Sequence, residues 1–151
     1  MLDANMKQQL GAYLDNLRNP ISLLVAVDGS PKSNELEELA REIAELNDKI
    51  SVSTTEEKIN GRAPVMAIAK EDNAPRVFFA GIPLGHEFTS LVLALLQAGS
   101  HPSKEDQALQ DQAKALTKEL NFEVYVSLSC HNCPDVVQSI NLMAALNPNT
   151  T

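Results

Sequence analysis

Ser129-Cys130-His131-Asn132-Cys133-Pro134 holds the only two cysteines of the 151-residue chain, two residues apart and directly followed by a proline. Thiol exchange runs through the thiolate, so a working cysteine needs its pKa brought down from about 8.5. The start of a helix supplies this, because its unpaired N–H groups and the positive end of its dipole stabilise an anion. Pro134 suits the first turn, where its missing N–H would have no partner. The spacing therefore predicts a redox-active dithiol at a helix entrance, with Cys130 exposed and attacking and Cys133, one turn further in, shielded and resolving. Between the sulfurs stands His131, which when protonated would favour the thiolate or the reduced state; its plainer reading is an exposed filler.

Other uses of the pair remain open. A closed zinc site wants four ligands, and only His86, His101 and His131 are left to complete it, with no second C-x-x-C in the chain. Haem attachment requires a histidine after the second cysteine, where Pro134 stands. A structural bridge over so short a loop would remove little unfolded-state entropy.

Upstream, Leu2, Met6, Leu10, Leu14 and Leu17 recur at helical spacing, and Asn19-Pro20 ends the pattern. Residues 21–27 are almost continuously apolar, as in a strand covered on both faces. Ser30-Pro31 reads as N-cap and first helical residue, ahead of Leu36, Leu39, Ala40, Ile43 and Leu46 on a buried face. Asp28 is expected to help that cap, and Glu35, Glu37, Glu38, Glu42 and Glu45 read as a solvated face. A short strand at 50–53 follows, then apolar runs at 65–69 and 77–80 around an Asn73-Ala74-Pro75 turn, then an apolar helix at 87–98. His86 reads as a turn histidine capping that helix, with a ligand or acid/base role as its alternative. Helix, βαβ, ββα is the order of a thioredoxin-like α/β fold. Pro64, after Ala63 and before a strand, takes the place where such folds carry a cis-proline.

The pattern then restarts. Ser103 is expected to cap a helix carrying Leu109, Leu116 and Leu120; residues 122–126 alternate like a strand, and Pro134 opens another helix. At an offset of 100 residues, Leu24-Val25-Ala26 falls on Val124-Tyr125-Val126, Asn47 on Asn147, and Ser30 and Ser33 on Cys130 and Cys133. The expected organisation is a tandem repeat: residues 1–99 form a complete, redox-silent copy, and residues 100–151 the first part of a second copy with the dithiol. With 18 residues after Cys133, the second copy lacks its ββα half. That suggests a piece of a longer protein, with an open strand edge that invites pairing with a second copy of the chain, a homodimer.

Composition narrows the partners. At 44% hydrophobic and 21% charged, the chain is globular in type. A formal charge of -8 with no Lys/Arg cluster speaks against nucleic acid and anionic membranes. The longest apolar run, 91–96, is far too short to span a bilayer, and no secretory signal opens the chain. The expected location is the cytoplasm, where C-x-x-C more often serves redox or metal chemistry than a structural bridge.

Several segments carry a family resemblance: Gly81-Ile-Pro-Leu-Gly-His-Glu-Phe-Thr-Ser-Leu-Val-Leu-Ala-Leu-Leu96, His101-Pro-Ser-Lys-Glu105, Tyr125-Val-Ser-Leu-Ser-Cys-His-Asn-Cys-Pro-Asp-Val-Val137, Asn141-Leu-Met143 and Leu146-Asn-Pro148. Over essentially its whole length the chain resembles the N-terminal domain of the AhpF family, the bacterial flavoproteins of the alkyl hydroperoxide reductase system, which regenerate its peroxiredoxin component. The resemblance implies two fused thioredoxin-like folds and an electron path from NADH through FAD and a second C-x-x-C in a flavin-containing C-terminal domain to Cys130 and Cys133, then to the peroxiredoxin. No Gly-x-Gly-x-x-Gly fingerprint occurs here, so FAD and NADH are implied for the full-length parent, and this chain is expected to bind neither cofactor nor metal. A non-catalytic docking module is the competing function.

Overall fold

The computed structural model describes residues 1–151. Helix α1, Ala4–Leu14, opens at Asp3, whose carboxylate accepts the Met6 N–H at 2.8 Å. It is shorter than the 2–17 stripe, yet Leu2, Leu10, Leu14 and Leu17 are all buried, since the flanking turns keep the outer two on the core. Strand β1, Ile21–Ala26, runs parallel to β2, Ile50–Thr55, and antiparallel to β3, Val65–Lys70, which pairs antiparallel with β4, Val77–Phe79. The order β2-β1-β3-β4 puts β1 inside the sheet, and Ile21, Leu23 and Val25 are fully buried there. This is the thioredoxin-like mixed sheet expected from the element order, and the Ala63–Pro64 bond entering β3 is cis.

Helix α2, Pro31–Glu45, is set by three short polar residues. The Ser30 hydroxyl accepts the Ser33 N–H, the buried Ser33 hydroxyl accepts the Asp28 N–H, and the Asp28 carboxylate accepts the Ser30 N–H. Asp28 thus shapes the turn before the helix rather than capping it, and the bonds from Ser30 hold its carboxyl below the usual range. Within the acidic series Glu42 departs from a solvated role: it takes the Met1 ammonium at 2.7 Å and the Leu2 N–H at 2.8 Å, which lowers its pKa. After a 3-10 turn, Gly85–Glu87, helix α3, Phe88–Ala98, buries Leu91, Val92, Ala94, Leu95 and Leu96.

The second half departs further from expectation. Helix α4 spans Gln107–Lys114 and is capped by Asp106, not Ser103, whose hydroxyl instead accepts the Glu105 N–H in a turn of its own. Leu109 is exposed, and Leu116 and Leu120 lie beyond the helix. The early end has a visible cause. The buried Asn147 amide donates to the carbonyls of Ala113 and Leu116 at 2.8 and 2.7 Å, closing the last turn from outside. Residues 122–126 form no strand; pairing stops after the Leu120–Thr150 bridge and the Phe122 N–H bond to the Thr151 carbonyl. Helix α5, Cys133–Leu146, begins where Pro134 required and packs on α3.

The two halves share a local hydrogen-bond pattern. Asn47 donates to the Leu14 carbonyl near the end of α1 and accepts the Lys49 N–H, as Asn147 donates near the end of α4 and accepts the Asn149 N–H. Likewise the parallel Leu120–Thr150 bridge stands 99 and 100 residues on from the Ile21–Ile50 pair that starts the β1–β2 ladder.

Candidate functional site

Cys130 and Cys133 are joined as a disulfide, with Cα atoms 5.5 Å apart. Both are half-buried, so the expected contrast between an exposed and a shielded cysteine is absent in the oxidised form. Cys133 is the first residue of α5, and its N–H donates to Cys130 Sγ at 3.2 Å. Asn132, at the cap position, is helical and offers no side-chain acceptor, which leaves the sulfur as the acceptor at this helix start. Pro134 lies in the first turn. Ser30 holds the matching place at the start of α2, where a hydroxyl does the capping and no thiol exists.

The approach to Cys130 is fixed from the first half of the chain. The His86 N–H donates to the Leu128 carbonyl at 3.1 Å, two residues before the cysteine, while the Cys130 N–H turns back to Ser127. Gly85 makes this close approach possible: its φ is +60°, and a Cβ would stand 3.0 Å from the Leu128 oxygen. Gly85→Ala is expected to cost about 1–3 kcal/mol through the left-handed backbone and this contact. Denaturant unfolding should show a lower midpoint, with thiol exchange by Cys130 and Cys133 impaired as the turn shifts; an unchanged midpoint would mean that the turn is not held as described.

Two residues enter the site that sequence spacing undervalued. His86 provides no side-chain cap to α3; its ring lies 4.5 Å from that of His131, centroid to centroid, at a tilt of 59°. Glu87 is 2% exposed, and neither carboxylate oxygen has a hydrogen-bond partner. Its only sequence signal is position: it is the last charge before the entirely uncharged α3. Glu87 lines a cavity of about 450 Å³ together with Arg62, Glu123, Tyr125, Val137 and Asn141. Val137 is four residues after Cys133 and so on the same face of α5. At the outer side, Arg62 donates to Glu123 at 3.1 Å and to the Tyr125 hydroxyl at 3.3 Å, and Tyr125 donates to Glu123 at 2.8 Å. Tyr125 first, then Arg62, lowers the Glu123 pKa. This trio ties residues 122–126 to the loop before β3, although Phe122, Val124, Tyr125 and Leu128 stay exposed.

Chemically, a disulfide at a helix start, with the paired His86 and His131 imidazoles on adjoining turns, suits two-electron thiol–disulfide exchange. No group of three or more His, Cys, Asp or Glu side chains is set to hold a metal ion. No helix is long and apolar enough to cross a membrane.

No protein-family model matches the chain. Among curated proteins it is 53% identical over 148 residues to the AhpF component of alkyl hydroperoxide reductase from Escherichia coli (strain K12), covering 98% of this chain and 28% of that protein. An NADH dehydrogenase of Bacillus subtilis (strain 168) is 48% identical over 151 residues, the whole of this chain and 29% of that one. Among solved structures, the NTD_N/C domain of alkylhydroperoxide reductase AhpF from Enterococcus faecalis (V583) superposes with a TM-score of 0.87 at 31% identity, covering 99% of this chain and 77% of that domain. The chain thus spans under a third of the curated relatives it matches and most of a domain solved separately.

Proposed function

The chain belongs to the AhpF family of alkyl hydroperoxide reductase components, and from this we propose that it is the electron-relay domain of such a reductase, a protein disulfide reductase working through Cys130 and Cys133. The observation that carries the proposal is the Cys133 N–H directed at Cys130 Sγ from the first turn of α5. In the reduced protein that donor, with the helix dipole, stabilises a Cys130 thiolate. The thiolate attacks one sulfur of the partner's disulfide and expels the other as a thiolate, giving a mixed disulfide. Cys133, deprotonated, then attacks Cys130 Sγ, breaking the mixed disulfide and releasing the partner sulfur held in it as a thiolate. Two thiols are oxidised to one disulfide while one disulfide is reduced to two thiols, so electrons balance without a further reagent.

We assign the accepting disulfide to the peroxiredoxin component of alkyl hydroperoxide reductase, and the reductant that restores the dithiol to the flavin-containing C-terminal domain of the parent. A relative that carries the name NADH dehydrogenase supports nicotinamide as the ultimate donor there. These residues do not themselves fit a dinucleotide: no Gly-x-Gly-x-x-Gly loop precedes any helix, and the α2 entrance is filled by its own serine. Within the chain, residues 1–99 act as the redox-silent copy that braces the site, and residues 100–151 carry the chemistry. A cytoplasmic location suits a dithiol that must be returned to the reduced state.

The test is direct. When the reduced chain is mixed with oxidised peroxiredoxin, alkylated and weighed, it should lose two alkylatable thiols as the partner gains two. A chain that keeps both thiols yet binds the peroxiredoxin would be a docking module instead.

A further inference from the structure

We propose that His86, contributed by the redox-silent first copy, is a positioning residue of the redox site: it holds the His131 imidazole beside Cys130 and sets the pH range over which Cys130 attacks. The inference rests on the relay reading above and deepens it. Three observations converge on it. The ring centroids of His86 and His131 are 4.5 Å apart, within the range of a favourable tilted aromatic pair. The His86 N–H donates to the Leu128 carbonyl, so the ring belongs to a turn tied directly to the cysteine loop. Gly85, left-handed and against the same carbonyl, makes that placement a built feature of the turn.

Charge gives the pair its consequence. A positive charge on a ring beside Cys130 favours the thiolate, and like charges on two rings 4.5 Å apart repel. The groups able to compete are few. On the same turn Glu87 is the only acid; α3, packed on it, carries no charge; α5 supplies Asp135 and the Cys133 thiol, and the loop before it the Cys130 thiol. Both rings are solvent-exposed, so salt should weaken the coupling, and a substitution at His86 leaves the core untouched.

The experiment measures the rate of Cys130 alkylation against pH in reduced Cys133→Ser protein, alone and with His86→Gln, His131→Gln or both. His86→Gln should change the rate at about pH 6 by at least about threefold and shift the midpoint of the profile, with the two substitutions non-additive and the difference shrinking in high salt. His86→Phe, which keeps an aromatic ring against His131 but no ring nitrogen, should retain the placement of His131 and shift the profile less than His86→Gln does. Superimposable profiles for His86→Gln and its parent, or additive effects of the two histidines, would overturn the role of His86 while leaving the relay intact. Absence of Cys130 reactivity below about pH 8.5 in the parent variant would instead overturn the relay reading, and this inference with it.

Discussion

Cys133→Ser is expected to stop disulfide reduction while leaving the first half of the reaction in place, so that the variant accumulates as a covalent mixed disulfide with the peroxiredoxin through Cys130. The roles follow from the helix start. The N–H of Cys133 points at Cys130 Sγ, so Cys130 is the sulfur whose negative charge the helix solvates. Cys133 is itself the first helical residue, and it can attack only inward across the 5.5 Å between the two Cα atoms. Cys130→Ser should therefore form no adduct and transfer no electrons, whereas Cys133→Ser should form one adduct per chain and turn over at background. Intact-mass spectrometry without reductant separates the two. Adducts forming equally fast on Cys133 in the Cys130→Ser variant would show that the helix does not choose between the sulfurs.

How far the sequence alone reaches differs between the two halves of the chain. In the first half, local pattern and tertiary need agree. The apolar run at 21–27 becomes the inner strand, Ser30-Pro31 caps α2 as spaced, and Asn73-Ala74-Pro75 connects antiparallel strands. The second half has weaker agreement. Alternation at Phe122, Val124 and Val126 is real, but a strand exists only with a ladder partner, and beyond Phe122 these residues find none within 1–151. Ser103 and Asp106 are both competent caps, and no rule of local spacing reveals that Asn147, some thirty residues on, closes α4 near Ala113 and Leu116.

The redox site shows the same division. The placement of Cys130, Cys133 and Pro134 at a helix start is encoded locally, in six consecutive residues, and is legible there, whereas the expected difference in exposure between the two cysteines is not seen. His86 and Glu87 lie more than forty residues away, and only packing of the Gly85–Glu87 turn against α5 brings them in. A buried acid announces itself poorly in sequence, because an isolated glutamate ahead of a helix reads as a favourable first-turn charge.

Glu87 carries the second large prediction, a separation of stability from rate. Completing the disulfide requires that Cys133 lose its proton, and a positioned base is commonly worth about 10²–10⁴-fold in such a step. Two acids line the cavity that runs past Val137, one turn below Cys133. Glu123 is exposed and already engaged by Arg62 and Tyr125, whereas Glu87 is buried with neither carboxylate oxygen hydrogen-bonded within the protein, which makes it the candidate for that base. An unpaired buried carboxyl costs folding stability, which a fold without a use for it would shed. Glu87→Leu should accordingly raise unfolding stability by about 1–3 kcal/mol, since it removes an unsatisfied polar group without opening a cavity. Resolution of the mixed disulfide by Cys133 should slow by about two orders of magnitude, while alkylation of Cys130 is little changed. Glu87→Gln, which keeps size and polarity, should lose the rate as well. Rapid-quench measurement of adduct decay, beside denaturant unfolding of the same variants, reads both quantities; a variant that resolves its adduct at the parental rate would reduce Glu87 to a packing residue.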